Sequence, residues 1–159
     1  MRLYLDTEFT DLKPGAKLIS IALVDENENF FYAELTDTWT YEDCSPFVHN
    51  YVLPYLFGYR KPEYQMTWAE CALKIGNWIE DREEQCVIAC DNIDWDSPYL
   101  NSLISAFPPE NLVKNIFVPV TYGGAIVTKI VAKHSYTVHN SLHDALIMKK
   151  STCNTSDYL

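Results

Sequence analysis

The first 35 residues alternate apolar and polar segments in the pattern of three consecutive β-strands. Apolar runs at residues 2–8, 18–24 and 30–35 are separated by polar segments, and residues 25–29 have the length and composition of a turn. Strands joined by so short a turn pair in opposite directions. The sequence therefore predicts that an antiparallel three-stranded unit begins the sheet.

Helical patterns follow this unit. Ser45 before Pro46 is a typical helix start, and Pro54 predicts the end of that helix or a kink in it. Thr67 and Glu70 have the spacing of a capping box, behind which apolar residues recur at helical intervals. We interpret the aromatic residues of both helices as core rather than as a surface for stacking bases. These residues are Tyr51, Tyr55, Trp68 and Trp78.

The second half alternates strand and helix. Residues 86–90 form a short apolar run that suits a buried strand. A helix is predicted over about 96–106, a strand over 115–120 and a last helix over about 140–150. Three strands followed by this alternation predict an α/β fold with a mixed sheet flanked by helices.

Composition limits the class of protein. The 159 residues carry a formal net charge of −10, which argues against a protein that coats duplex nucleic acid. The absence of a leader-like or membrane-spanning apolar run predicts a cytoplasmic protein without a membrane partner. The five cysteines lack paired zinc-site spacing and are predicted to be reduced thiols. We expect one domain over residues 1–150 and a polar, frayed tail over residues 151–159.

Two carboxylates, Asp6 and Glu8, lie near the end of the first predicted strand. Residues two apart in a strand project from the same face, while Leu3 and Leu5 face an apolar layer. Like charges so close repel unless a cation lies between them, and hard oxygen ligands suit Mg²⁺ or Mn²⁺. Taken alone, the pair fits an edge strand with solvated carboxylates better than it fits a metal site. Acidic residues further along the chain favour the metal site.

Three aspartates, Asp91, Asp94 and Asp96, follow the apolar run at residues 86–90. Asp96 is predicted to open a helix, with Ser97 and Pro98 in its first turn. An acid there stabilises a helix by about 1 kcal/mol, a role that is compatible with metal binding. Asp91 and Asp94 are predicted to be turn and surface acids.

His139 and Asp144 are the third candidate pair. Within one helix, five residues would set them about 140° apart, too far to converge. We therefore place His139 in the preceding loop, with Asn140 as the N-cap and Asp144 on the second helical turn, pointing at the same cavity. His143 is about 100° from Asp144, which predicts an exposed histidine or a secondary phosphate contact. His49 and His134 are predicted to be structural or surface residues.

Together these residues resemble the three motifs of the DEDDh 3′–5′ exonucleases of the RNase H-like superfamily. The opening motif and the short chain are most similar to the small bacterial and phage exoribonucleases of the RNase AS kind. Two positions depart from the pattern of the proofreading relatives. One is Asp11, where those relatives often have a glycine, and the other is Trp95, the aromatic residue before the second-motif aspartate. The matching residues are Asp6, Glu8, Asn92, Trp95, Asp96, Tyr99, Leu100, His139 and Asp144.

The resemblance implies an RNase H-like fold and hydrolysis of the terminal phosphodiester with two divalent cations, Mg²⁺ or Mn²⁺. It implies that Asp6 bridges both ions, that Glu8 and Asp144 complete the site of one, and that Asp96 holds the other. It further implies that His139 acts as the general base.

Residues beside the first motif are expected to bind the last nucleotide. Phe9 could stack on a base or could pack in the core, and the two roles are weighted equally. Thr7 or Thr10 could hydrogen-bond the terminal sugar. The expected substrate is the 3′ end of single-stranded RNA, and a homodimer is expected. A DNA exonuclease of the same chemistry and a catalytically silent nucleic-acid-binding protein remain as alternatives.

Overall fold

The computed structural model of the chain describes residues 1–121 and 123–153, with the side chains of residues 114–117 and 153 excepted. It confirms an α/β protein with a mixed sheet flanked by helices. The strands are β1 (Arg2–Phe9), β2 (Leu18–Asp25), β3 (Phe30–Leu35), β4 (Gln65–Met66), β5 (Cys86–Cys90) and β6 (Leu112–Pro119). The α-helices are α1 (Pro46–Tyr51), α2 (Trp68–Glu80), α3 (Ile93–Ile104), α4 (Gly124–His134) and α5 (Ser141–Cys153).

The sheet has the strand order β4-β3-β2-β1-β5-β6. The antiparallel start is confirmed, because β2 pairs in the antiparallel direction with both β1 and β3. β5 then pairs parallel to β1, and β6 pairs parallel to β5. The C-terminal ends of β1 and β5 consequently lie at the same edge of the sheet. β4, a two-residue strand beside β3, is too short for a periodic pattern and was not predicted.

The two faces of the sheet are covered by different helices. Leu3 and Leu5 pack in a cluster with buried residues of α2 and α3, whereas Tyr4 packs in a separate cluster with residues of α5. Helix α4 lies outside α5, where Ile130 contacts Ile147. Because strand side chains alternate, Asp6 and Glu8 project toward the α5 side and Thr7 toward the α3 side.

The predicted helix starts are confirmed where a local cap exists. Ser45 accepts a hydrogen bond from the backbone of Val48 at the start of α1, which ends before Pro54. The capping box of Thr67 and Glu70 begins α2 as predicted. Trp68 and Trp78 pack against the core cluster, but the same prediction was wrong for two tyrosines. Tyr51 and Tyr55 are 52% and 43% exposed.

Two helices differ in their boundaries from the sequence prediction, and a third was not predicted. Helix α3 begins at Ile93, because the Asn92 carbonyl accepts bonds from the N–H groups of Trp95 and Asp96, so Pro98 falls inside the helix rather than in its first turn. Helix α4 was missed, although Ile126, Val127, Ile130 and Val131 have helical spacing behind two glycines. Helix α5 continues to Cys153 and takes in part of the predicted tail, whose residues 154–159 lie outside the described part of the chain.

The cysteine prediction agrees with the described residues. Cys44, Cys71, Cys86 and Cys90 are free and buried, and Cys86 and Cys90 lie in the same core cluster. Among the described helices, none combines the length and apolar character that a membrane crossing needs.

Candidate metal centre

A cleft of about 670 Å³ opens at the edge where β1 and β5 end. Residues from β1, α1, the start of α3 and the start of α5 form its walls. The described polar residues that line it are Asp6, Thr7, Glu8, Asp11, Ser45, Asp91, Asn92, Asp96, His139 and Asp144. Its apolar walls include Phe9, Leu12, Phe47, Trp95 and Val138. Residues from all three sequence motifs therefore meet in one cavity.

The first potential metal-binding group combines Glu8, His139 and Asp144, whose candidate ligand atoms all lie within 4.8 Å of one another. His139 lies in the loop before α5, as predicted, and its backbone N–H donates to Asp144 Oδ2 at 2.7 Å. Asn140 is the predicted cap, since its side-chain Oδ1 accepts from the His143 N–H at 3.2 Å. Asp144 lies on the first turn of α5 rather than on the second.

The backbone of His139 is in the left-handed region, with φ of 61°. Few residues other than glycine adopt this conformation, and non-glycine examples cluster at functional sites. The bond from the His139 N–H to Asp144 ties the loop backbone to α5 and holds the Asp144 side chain in place. The ring of His139 contacts the ring of Phe47 edge-to-face, with centroids 5.0 Å apart.

The second group consists of Asp6, Asp91 and Asp96, again with candidate ligand atoms within 4.8 Å. Asp96 is 3% exposed, and its Oδ1 accepts a hydrogen bond of 2.6 Å from the Thr7 hydroxyl. Asp91 is an exposed acid in a bend, as predicted, but it also belongs to this group. Asp91 directly follows β5, so the parallel pairing of β5 with β1 brings it to Asp6.

Crowding and burial raise the pKa values of four carboxylates of the cleft. Burial raises the pKa of Asp6 well above its ordinary value, and the charges of Asp144, Asp96 and Glu8 add to the effect. Burial, followed by the charges of Asp144 and Asp96, raises the pKa of Glu8 to about 8. Burial likewise raises the pKa values of Asp96 and Asp144 to about 7 each.

The donor set fits hard divalent cations. Among the described residues that line the cleft there is no lysine or arginine to balance the carboxylates. Oxygen donors with excess negative charge are the ligands that Mg²⁺ and Mn²⁺ take, and two such ions would relieve the repulsion. The two acidic groups therefore could hold metal, through the carboxylates of Glu8 and Asp144 in the first and of Asp6, Asp91 and Asp96 in the second.

Burial lowers the pKa of His139. The imidazole is consequently neutral near physiological pH and can accept a proton. Its place beside Glu8 and Asp144 allows two uses, as a proton acceptor or as a nitrogen ligand of the first group.

Aromatic rings form a second part of the cleft. The Phe9 ring stacks on Trp95 at 5.5 Å and on Tyr99 at 5.7 Å between centroids. Phe9 is half-buried and lines the cleft together with Trp95, so it packs on neighbouring rings and also faces the space where a base could enter. The Tyr99 hydroxyl donates to the Ala16 carbonyl at 2.8 Å, which ties the segment after β1 to α3.

Two predicted contacts are not placed at the cleft. Thr10 is 2% exposed, and its hydroxyl accepts from the Lys17 N–H at 3.0 Å, which leaves it unavailable to a sugar. The expectation for His143 was wrong, because its Nδ1 accepts from the Thr137 N–H at 2.9 Å and its ring stacks on Tyr136. Thr7 lines the cleft, but its hydroxyl is donated to Asp96.

The other two histidines have the structural roles that the sequence predicted. His49 stacks on Tyr41 with centroids 4.1 Å apart, and His134 stacks on Tyr136 at 5.2 Å.

Sequence reasoning missed several residues of the cleft, among them Asp91 and Phe47. Asp91 carried a usable signal, since the first residue after a buried parallel strand lies at the edge where sites form. Phe47 carried none, because its place on α1 gave no reason to expect it beside His139.

No family model matches the chain, and no curated protein matches it significantly.

Proposed function

We propose that the protein is a metal-dependent 3′–5′ exoribonuclease that removes nucleotides from the ends of single-stranded RNA. The observation that carries the proposal is that two clusters of acidic residues, one of which includes His139, line a single cleft. The sequence order of these residues, which resembles the three DEDDh motifs, adds support. So does the sheet, whose three antiparallel strands followed by parallel β5 and β6 suit an RNase H-like fold.

In this proposal Asp6, Glu8, Asp96 and Asp144 would hold two divalent cations. The cations, when bound, would supply Lewis-acid activation of the phosphate and charge compensation at the leaving oxygen. Thr7 keeps Asp96 in place through its hydroxyl, and the His139 N–H does the same for Asp144.

His139 is the residue assigned to proton transfer. Its neutral imidazole would accept a proton from the attacking water while the water oxygen bonds to phosphorus. The bond from phosphorus to the 3′ oxygen breaks, and a proton returns to that oxygen. The products are a nucleoside 5′-monophosphate and an RNA shortened by one residue with a free 3′ hydroxyl.

A labelled oligonucleotide assay tests the proposal. With Mn²⁺, RNA labelled at the 3′ end should release its label at once as a mononucleotide, whereas 5′-labelled RNA should shorten stepwise. EDTA should stop both reactions. The same sequence in DNA, digested in parallel, reports the choice of sugar. Label released first from the 5′ end, or turnover in EDTA, would contradict the proposal.

Substitutions connect the activity to the cleft. Asp6→Asn and Asp144→Asn should abolish turnover, because each removes a charged ligand without changing side-chain size. Asp94→Asn is the matched control, since Asp94 is an exposed acid in the first turn of α3 that does not line the cleft. Wild-type turnover in either cleft variant would remove the two-metal assignment.

A further inference from the structure

Two exposed aromatic rings lie side by side on α1. Phe47 is 50% exposed and Tyr51 is 52% exposed, and their ring centroids are 5.0 Å apart. They are four residues apart, so they share one helical face. The other side of the segment supplies Val48 and Val52 to a buried cluster, which means that α1 packs without these two rings.

The ring pair is continuous with the candidate metal centre. Phe47 lines the cleft, and its ring contacts that of His139. Tyr51 lies one helical turn, about 5.4 Å, further along α1. The pair therefore begins beside the candidate general base and continues to Tyr51, which is not among the residues lining the cleft.

The charges of the cleft restrict how a nucleic-acid strand could be held there. The described residues lining it include no lysine or arginine that could pair with the phosphates of a longer strand. Aromatic faces bind bases without such charges, and they do so with little dependence on sequence. Stacking is thus the interaction that this part of the surface offers to a strand entering the cleft.

We propose that Phe47 and Tyr51 form a stacking platform for the unpaired bases that precede the 3′-terminal nucleotide. This inference rests on the proposed function and deepens it, because it makes the unpaired bases next to the cleaved nucleotide a part of the substrate. Bases that remain in a duplex stack on their neighbours and cannot use the platform. The protein should accordingly prefer strands with several unpaired nucleotides to dinucleotides and to blunt duplex ends.

The length dependence of KM is the first test. With Mn²⁺, the wild-type protein should show a lower KM for a tetranucleotide than for a dinucleotide. Tyr51→Ala should reduce the ratio of the dinucleotide KM to the tetranucleotide KM by about 5- to 100-fold. Tyr51→Trp should restore it, because a larger ring also stacks. Phe107→Ala is the matched control, since Phe107 is 70% exposed but follows the far end of α3 and should keep the wild-type ratio.

Binding without turnover is the second test. In an Asp144→Asn background, Tyr51→Ala should weaken the affinity for a fluorescent single-stranded octanucleotide by about 5- to 100-fold, while Phe107→Ala should not. Melting curves of each variant establish that it is folded, and sedimentation shows whether its oligomeric state has changed.

The outcomes separate the two proposals. If the wild-type protein cleaves RNA from the 3′ end but Tyr51→Ala keeps the wild-type length dependence and affinity, the platform is wrong and the proposed function stands. If the wild-type protein neither cleaves nor binds the oligonucleotides, both are wrong. A change of oligomeric state in Tyr51→Ala that accompanies the loss of affinity would identify the rings as a contact between subunits and overturn the platform.

Discussion

His139 lies where it can accept a proton or bind a metal ion, and the proposed function assigns it the first role. As a general base, its replacement by alanine should lower the rate by about 10²- to 10⁴-fold and leave Mn²⁺ affinity unchanged. Mn²⁺ titration of His139→Ala measures the second quantity directly. His143→Ala is the control, since His143 packs on Tyr136 outside the cleft. A large loss of Mn²⁺ affinity in His139→Ala would make the histidine a ligand.

Thr7 supports the metal centre through a single hydrogen bond. Its hydroxyl donates to Asp96 at 2.6 Å and lowers the pKa of that aspartate against the effect of burial. Thr7→Val keeps the β-branched shape but loses the bond, so Asp96 becomes harder to ionise. We expect Mn²⁺ affinity to fall by about 10- to 100-fold, as for other partners of metal ligands. Thr7→Ser should retain the affinity, and equal affinity in both variants would refute this role.

At the scale of elements, Glu34 of β3 anchors the loop that follows the 3₁₀ turn Leu53–Tyr55. Its carboxylate is buried and accepts bonds from the Tyr32 hydroxyl and from the N–H groups of Phe57 and Gly58. A Cβ at Gly58 would overlap both Glu34 and the Gln65 side chain. The loop therefore passes so close to β3 that a side chain at position 58 would displace the ends of the Glu34 and Gln65 side chains.

Gly58→Ala should lower the free energy of unfolding by about 1–3 kcal/mol, because the added methyl group forces Glu34 away from its donors. Urea denaturation measures the change. Gly124→Ala is the matched control, since nothing lies within 4 Å of a Cβ at this first residue of α4. That variant should be neutral or stabilised by up to about 1 kcal/mol. Equal stability of the two variants would contradict the close approach.

For the whole molecule, the crowded carboxylates connect stability to pH and metal. Without metal, Glu8 has a pKa of about 8, and Asp96 and Asp144 have pKa values of about 7. The same groups have pKa values of about 4 in the unfolded chain. Between these values the three groups bind more protons in the folded protein than in the unfolded chain, so their contribution to stability falls as pH rises from about 4 to about 8.

In EDTA, the melting temperature should accordingly decrease from pH 5 to pH 8, and Mn²⁺ should raise it most at pH 8. Thermal melting at several pH values, with and without Mn²⁺, measures both effects. Asp144→Asn should make this decrease in melting temperature less steep. The variant has one ionisable group fewer, and the remaining carboxylates lose the repulsion from Asp144. A melting temperature that increases with pH in EDTA, or no response to Mn²⁺, would count against the centre.

Local patterns predicted those parts of the protein whose hydrogen bonds close within a few residues. The capping box of Thr67 and Glu70 is such a case, and so is the loop position of His139, which follows from the angle between residues of one helix. Strand alternation likewise placed Asp6 and Glu8 on one face of β1. These features depend on local backbone geometry, which a segment of about ten residues determines without the rest of the chain.

Tertiary structure alone decided which of these residues meet. The bond from Thr7 to Asp96 joins positions 89 residues apart, and it exists because β1 and β5 pair in parallel with Tyr4 opposite Ala89. The same pairing brings Asp91 to Asp6, and the packing of α1 places Phe47 beside His139. Register between distant strands depends on how the whole core packs, and that information is spread over the chain rather than held in any one segment.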